Sequence, residues 1–267
     1  MAIAYVSGSS GNANTNTTSA TSQSLTVTAV PSGAAVCITV LWYSTVTTAT
    51  VKDNLNNSYT QLDSQNISNF TLVTFYGTNV AGGPTTFTAT FASAVQYPSV
   101  TVDTFTGVAT SAALDGHTAQ TQTSPGTGSN AITSGTFTEA SSGDLTFSAV
   151  MDTRSSGVSG TPGTGFTAAQ APTGYQATEY KLSSSSGSNA GTWTNGTDGG
   201  TYTFITAAFA LKAAGAGGKP SSLPLLGVGM LMPSDIALLG AGAAAVEFVR
   251  RNPMLSRRRF VLPFTRK

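Results

Sequence analysis

Alternation of apolar residues with threonine or serine is the feature that most restricts what this chain can become. Leu25, Val27 and Ala29 alternate with Thr26 and Thr28, and Phe87, Ala89 and Phe91 with Thr86, Thr88 and Thr90. Leu145, Phe147, Ala149 and Met151 alternate mostly with Thr146 and Ser148. A period of two sends one set of side chains to a dry face and the other to a wet face of a strand. Two further runs, 34–43 and 202–211, are apolar on both faces, which predicts central strands covered on both sides. Helical periodicity does not occur before residue 220. Turn signals such as Pro31-Ser32-Gly33, Gly82-Gly83-Pro84 and Ser142-Gly143-Asp144 punctuate the runs. They divide residues 1–212 into roughly twelve to fourteen short strands. The expected fold class is all-β, a two-sheet antiparallel sandwich of jelly-roll type over 1–212, followed by a C-terminal apolar helix.

Composition supports a sandwich with hydroxyl-rich wet faces. Only 9% of the 267 residues are charged, while 40% are hydrophobic, enough for a core. The charge is unevenly spread: residues 1–218 hold four bases and nine acids, and residues 219–267 hold eight bases and two acids. The halves of that balance, −5 and +6, predict a body and an anchoring or interacting tail. The lone cysteine, Cys37, excludes an internal disulfide and a cysteine-rich zinc site, and its apolar surroundings predict a small buried hydrophobe. Residues Met1–Val6 lack a basic start and run into Gly, Ser, Asn and Thr, so no secretory signal is read there.

Residues 213–222 read as a Gly/Ala/Ser/Pro linker and 223–267 as an apolar helical segment with an arginine-rich end. Ser234 is a good N-cap, Asp235 suits the positive end of the dipole, and Asn252-Pro253 is a stop. Small residues at Ala237, Ala241 and Ala245, and at Gly240 and Ala244, let such a helix approach another closely. Arg250 and Arg251 close it, and a membrane contact through 223–251 is one candidate role.

Chemistry-bearing residues are few. One histidine, His117, sits after Leu114-Asp115-Gly116 without a nucleophile-elbow pattern, and reads as an ordinary turn or surface histidine. Asp103 and Glu179 fall in predicted strands and read as solvent-facing acids rather than a glycosidase pair. Asp53, Asn54, Asn56 and Asn57 could offer oxygens to calcium, but Asx turns use the same residues without metal. No metal, cofactor or catalytic residue is therefore expected. The candidate ligand-binding residues are Trp193 with Asn195, between Gly191 and a turn, and Tyr97 and Tyr175, since an aromatic face beside amides is the chemistry of glycan contact. Nucleic acid is not an expected partner, because an arginine cluster directly after an apolar helix is a membrane-topology signal.

The stretches VKDNLNNSYTQLDS (51–64), FYGTNVAGGPTTFTATF (75–91), DTFTGVATSAALDG (103–116), SSGDLTFSAVMD (141–152) and TYTFITAAFALK (201–212) are turn-and-strand patterns. In them the body resembles β-sandwich modules of phage structural proteins and bacterial surface proteins, similar in architecture to concanavalin-like and jelly-roll lectins. Pro233-Ser234, the apolar run and Arg250-Arg251 are faintly similar to the sorting tails of bacterial surface proteins. The resemblance implies a non-enzymatic structural or adhesive protein of a virion or cell surface, assembling with itself or with other surface proteins. A glycan-binding lectin-like module is the alternative, and a glycan hydrolase on a lectin-like sandwich ranks third.

Overall fold

A computed structural model of the chain describes residues 2–15, 18–124, 130–153, 160–173, 175–195 and 202–215. Over these the chain is all-β and antiparallel, with one short 3-10 turn at Ser7–Ser9. The first half holds β1 (Ala4–Tyr5), β2 (Gly11–Asn14), β3 (Ala20–Thr26), β4 (Ala34–Tyr43), β5 (Ala49–Asp53), β6 (Thr60–Ile67), β7 (Phe70–Val80) and the long β8 (Thr86–Thr106). The second half holds β9 (Leu114–Ser124), β10 (Asn130–Thr133), β11 (Phe137–Glu139), β12 (Leu145–Asp152), β13 (Thr161–Pro162), β14 (Thr167–Thr173), β15 (Gln176–Leu182), β16 (Gly187–Asn189), β17 (Thr192–Asn195) and β18 (Tyr202–Leu211).

The body is not one two-sheet sandwich. It consists of two stacked units built on the same plan. In the first, β8 bends: its part up to Val95 pairs with β3 and β5, and its part from Gln96 pairs with β4, β2 and β1. The larger sheet runs β6-β7-β4-β8 and ends on β1 and β2, and the smaller one runs β3-β8-β5. In the second unit the larger sheet runs β14-β15-β12-β18-β9 and a smaller one β10-β17-β13, with β11-β16 beside it. The orders β6-β7-β4-β8 and β14-β15-β12-β18 correspond strand for strand, while β11 and β16 have no counterpart in the first half.

The correspondence extends to register. Cys37 lies between Tyr76 and Asp103, and Phe147 between Tyr180 and Phe209. The β6–β7 ladder shifts after Gln61–Phe75, and the β14–β15 ladder after Ala168–Glu179, the same place in both units. Gly33 and Gly143 enter the counterpart strands β4 and β12 with φ of 76° and 85°, and their N–H groups donate to the carbonyls of Val80 and Ser184. A glycine takes that left-handed conformation without a Cβ penalty.

Three apolar layers hold the stack together. Val36, Ile38, Val40 and Trp42 on one face of β4 pack with Leu25, Val51, Phe87 and Phe91. The other face, with Ala35, Cys37 and Leu41, packs with Phe147, Ala149 and Met151 of β12 and with Ile205 and Phe209 of β18. Beyond β12, Val150 and Phe204 are covered by Ile132 and Trp193. Both β4 and β12 are therefore dry on two sides, and all eight positions of β12 are buried. The wet face expected for Thr146 and Ser148 is instead roofed by the small sheet, and their hydroxyls bond Glu139 and Trp193. A buried hydroxyl is tolerated only with such a partner.

The two halves meet with β4 against β12, β6 against β9 and β2 against β14. The faces share a shape but not a chemistry. Across the seam Gln176 Nε2 donates to Ser99 Oγ (2.7 Å) and Thr101 Oγ1 (2.5 Å), and Thr178 Oγ1 donates to Asp103 Oδ2 (2.8 Å). Tyr5 OH and Gln170 Nε2 donate to Asp103 Oδ1 at 3.1 and 3.2 Å. By register the counterparts of Ser99, Thr101 and Asp103 are Ile205, Ala207 and Phe209, and that of Gln176 is Leu72. Two of the three donors to Asp103, Thr178 and Gln170, come from the second unit, so the carboxylate is fully matched only when the units face each other, and an unmatched buried carboxylate is costly.

The body continues past its expected end at residue 212: Ala213 bridges Val108, and Ala214 N–H donates to Gly107 O. The rest of the linker and the predicted helix, with Ala237, Gly240, Ala241, Ala244, Ala245, Arg250 and Arg251, lie outside the described residues. Among the described residues no helix is long and apolar enough to cross a membrane.

Candidate functional site: an aromatic row at the seam

Of the four residues singled out as ligand contacts, two come together and one does not belong to a surface. Trp193 is 2% exposed, and its indole N–H donates to Ser148 Oγ at 3.0 Å. It is a core residue, not a ligand platform. Asn195 ends β17, and its side chain lies outside the described residues.

Tyr97 and Tyr175 are half-buried members of one row. Ring centres step from Tyr97 to Tyr43 (6.5 Å), from Tyr43 to Phe70 (4.9 Å) and from Phe70 to Tyr175 (5.3 Å). Tyr43 ends β4, Phe70 begins β7, Tyr97 sits where β8 crosses between sheets, and Tyr175 immediately precedes β15. The row thus crosses the seam, three rings from the first unit and one from the second. Tyr43 and Phe70 were missed as site residues because each sits beside an apolar run and reads as core. Their Tyr43–Phe70 register pair at the open end of the β4–β7 ladder places them together.

The backbone beneath the row is unusual. Ser68, Asn69 and Tyr97 have φ of 51°, 69° and 50°. Asn adopts this left-handed region readily, but a tyrosine there is an outlier. Tyr97 precedes Pro98 at the corner of β8, where the β4–β8 register also slips between Leu41 and Tyr43. A strand changing sheets needs such a bend, and the bend sets the Tyr97 ring beside Tyr43. Ser68 and Asn69 are exposed on the tight β6–β7 turn, and Asn69 Nδ2 donates to Tyr43 OH at 3.5 Å.

The ionisable residues are otherwise engaged. Asp103 and Glu179, read as solvent-facing, are both 0% exposed. Asp103 is pushed up to about 6 by burial, against the hydrogen bonds from Thr178, Gln170 and Tyr5. Glu179 Oε2 and Oε1 accept the Gly163 and Thr192 N–H groups at 3.0 and 3.2 Å, yet burial pushes its carboxyl up to about 8. The pair lies in different layers, Asp103 at the seam and Glu179 under the small sheet. Burial, and then Asp103 beside it, also raises the Cys37 thiol. His117, expected at a turn or on the surface, is an exposed residue of β9 opposite Phe209, and its Nδ1 is 3.1 Å from Asp63.

A further carboxylate group, not foreseen from sequence, ties the chain end: Asp144 Oδ1 accepts Ala213 N–H (3.0 Å), Asp115 accepts Ser141 N–H (2.9 Å), and Lys212 Nζ sits 3.4 Å from Asp115. Burial and neighbouring Asp115 raise the Asp144 carboxyl. Glu139 is likewise raised by burial while accepting from Ser184 and Thr146. Among the described residues no group of three or more His, Cys, Asp or Glu is placed to hold a metal ion.

The Asp53 loop closes on itself as an Asx turn. Asp53 Oδ1 accepts Leu55 and Asn57 N–H (2.9 and 3.0 Å), while Oδ2 accepts Asn57 Nδ2 and Tyr59 OH (2.7 and 2.6 Å). Burial alone would raise this carboxyl, but the hydrogen bonds from Tyr59, Asn57 and Leu55 outweigh it and hold it below the usual range. Replacing Asp53 with alanine is expected to cost about 2–3 kcal/mol, since several donors lose their acceptor at once. Urea unfolding of the variant beside the parent measures that loss, which calcium should not restore.

No protein-family model matches the chain, and no curated protein and no solved structure matches it.

Proposed function

We propose that this is a non-enzymatic structural or adhesive protein of a virion or cell surface, which works by contact through the aromatic row. The observation that carries the reading is the row itself: four half-buried rings, continuous across two units, flanked by the exposed side chains of Ser68 and Asn69. Rings held this way keep an apolar face available at little entropic cost, as contact surfaces require. The stacked antiparallel sheets are in keeping with a sandwich-like contact module. Against a hydrolase stands the burial of Asp103 and Glu179, each held by its own hydrogen bonds, from Thr178 and from the Gly163 N–H respectively. The tail, with its apolar run and arginine end, supplies anchoring or self-assembly in this reading, from sequence alone.

Deletion of residues 220–267 tests the division of labour. The truncated chain is expected to keep its binding to target cells and to lose its partition with membranes or particles, both read by co-sedimentation. If it still partitions like the full chain, the tail is not the anchor. If it loses cell binding while folded, the contact surface is not on the body.

The glycan-binding alternative is favoured by one specific feature, the exposed Asn69 amide that donates to the Tyr43 hydroxyl within the row.

A further inference from the structure

The first strand, β1, is two residues long and fills a slot that the rest of the body builds from both units. The Tyr5 ring meets Phe105 of β8 and Tyr180 of β15, with ring centres 5.3 and 4.9 Å away and the Tyr180 ring tilted by only 21°. Its hydroxyl is 3.1 Å from both Asp103 Oδ1 and Ala169 O, and it accepts from Gln170 Nε2 at 2.7 Å. Ile3 is buried in the middle apolar layer. Gly107 leaves room for the incoming backbone, since a Cβ there would collide with Ala2 O. The hold of β1 on its own chain is slight by comparison. It ladders on one side only, to Phe105 and Thr106. Ser7 and Gly8 behind it are exposed, and nothing crowds Gly8, so the backbone can swing there. From Ser9 on the chain is pinned again, because Ser9 O and Ser10 Oγ accept from Thr104.

We infer that this slot also takes residues 2–6 of a second copy of the chain, so that two molecules exchange their first strands. An emptied slot would bare Phe105 and Tyr180 and leave the buried Asp103 one donor short, which drives its refilling. Its groups fit a particular occupant: a short strand with an apolar side chain two residues before a phenol, the phenol set to reach a carboxylate and an amide at once. Ile3-Ala4-Tyr5 is that strand. Exchange keeps every one of these contacts and alters only the path at Ser7 and Gly8, the low-cost route to a dimer. A tethered strand acts at an effective concentration on the order of 1 mM. The chain therefore closes on itself when dilute and exchanges where copies are crowded, and this exchange is independent of the aromatic row.

Two single variants of the full chain test it. Ala4 and Thr106 lie opposite one another in the ladder, within reach of a disulfide, and the native Cys37 is buried. Ala4→Cys and Thr106→Cys chains are mixed at a concentration on the order of 1 mM, warmed and oxidised. Neither chain can close this bridge on itself, so a bridge from 4 to 106 forms only when the strand of one copy lies in the slot of the other. The expected result is a covalent dimer mapped to 4–106 by peptide mass spectrometry. It should be at least ten-fold more abundant than with Thr47→Cys, at an exposed position, in place of Ala4→Cys. A yield no higher than that control, or bridges joining other positions only, overturns the inference. A labelled peptide of residues 2–8, titrated into the parent chain, gives a second readout that needs no cysteine variant to fold. It should bind, and its Tyr5→Ala form should bind at least ten-fold more weakly. No binding, or equal binding of the two peptides, likewise overturns it.

Discussion

Trp193→Ala is expected to destabilise the body by about 3–5 kcal/mol, the usual cost of truncating a fully buried aromatic. Trp193 fills the layer between β12 and the small sheet together with Ile132, Val150, Ala177 and Phe204. Its loss also strips the hydroxyl of Ser148 of its indole donor, in the same layer as Glu179. Chemical denaturation should show a lower midpoint with an unchanged slope, and ligand or cell binding by the folded fraction should be unaltered. A variant of parental stability with impaired binding would instead put Trp193 on a ligand surface.

The second large effect is an inverted pH dependence of stability. Asp103 and Glu179 have folded-state values of about 6 and about 8, both above the ordinary carboxylate range, and Glu139 and Asp144 are raised as well. Raised acids keep their protons in the folded chain over a range where the unfolded chain has released them. The folded state then binds more protons than the unfolded one, so stability falls as pH rises. The fall begins above the unfolded carboxylate values near 4 and is complete once Glu179 has ionised, above about pH 8. Asp53 and Asp115 act in the opposite sense: their folded values are lowered, so their contribution is present above the unfolded value and lost as pH falls through the folded one. The melting temperature should therefore peak on the acid side, near pH 4–5, and decline by several degrees towards pH 8.5. Glu179→Gln, though less stable overall, should flatten the upper part of that decline. A melting temperature that rises steadily from pH 5 to 8 would contradict the assignment of buried, proton-holding carboxyls.

What could be read from the sequence was local. Alternation at 25–29 and 86–91 and the doubly apolar run 34–43 reported strands and burial, because side-chain period and burial are linked within a few residues. The repeated plan was not legible, because the two units share geometry rather than residue type. Cys37 and Phe147, Asp103 and Phe209, and Leu72 and Gln176 occupy counterpart positions with little in common chemically. The wet face predicted for β12 failed for the same reason: a threonine in a strand does not reveal whether water or another sheet covers it. Trp193 was misread through its neighbour. Gly191 looked like a turn glycine beside an exposed ring, but a Cβ there would collide with Ser148 Oγ, so the glycine marks close packing. Tyr97 and Tyr175 were legible as aromatics near polar residues, whereas their meeting through Tyr43 and Phe70 depends on strand ends that the sequence separates widely.

Hydrogen exchange of the full chain, free and bound to its target surface, tests the central claim most directly because it locates the contact. The account predicts added protection at residues 43–44, 68–71, 96–99 and 175–177, in both units at once, with little change on the hydroxyl-lined outer strands β3 and β5. Protection confined to those outer strands, or to residues 223–267 alone, would contradict it.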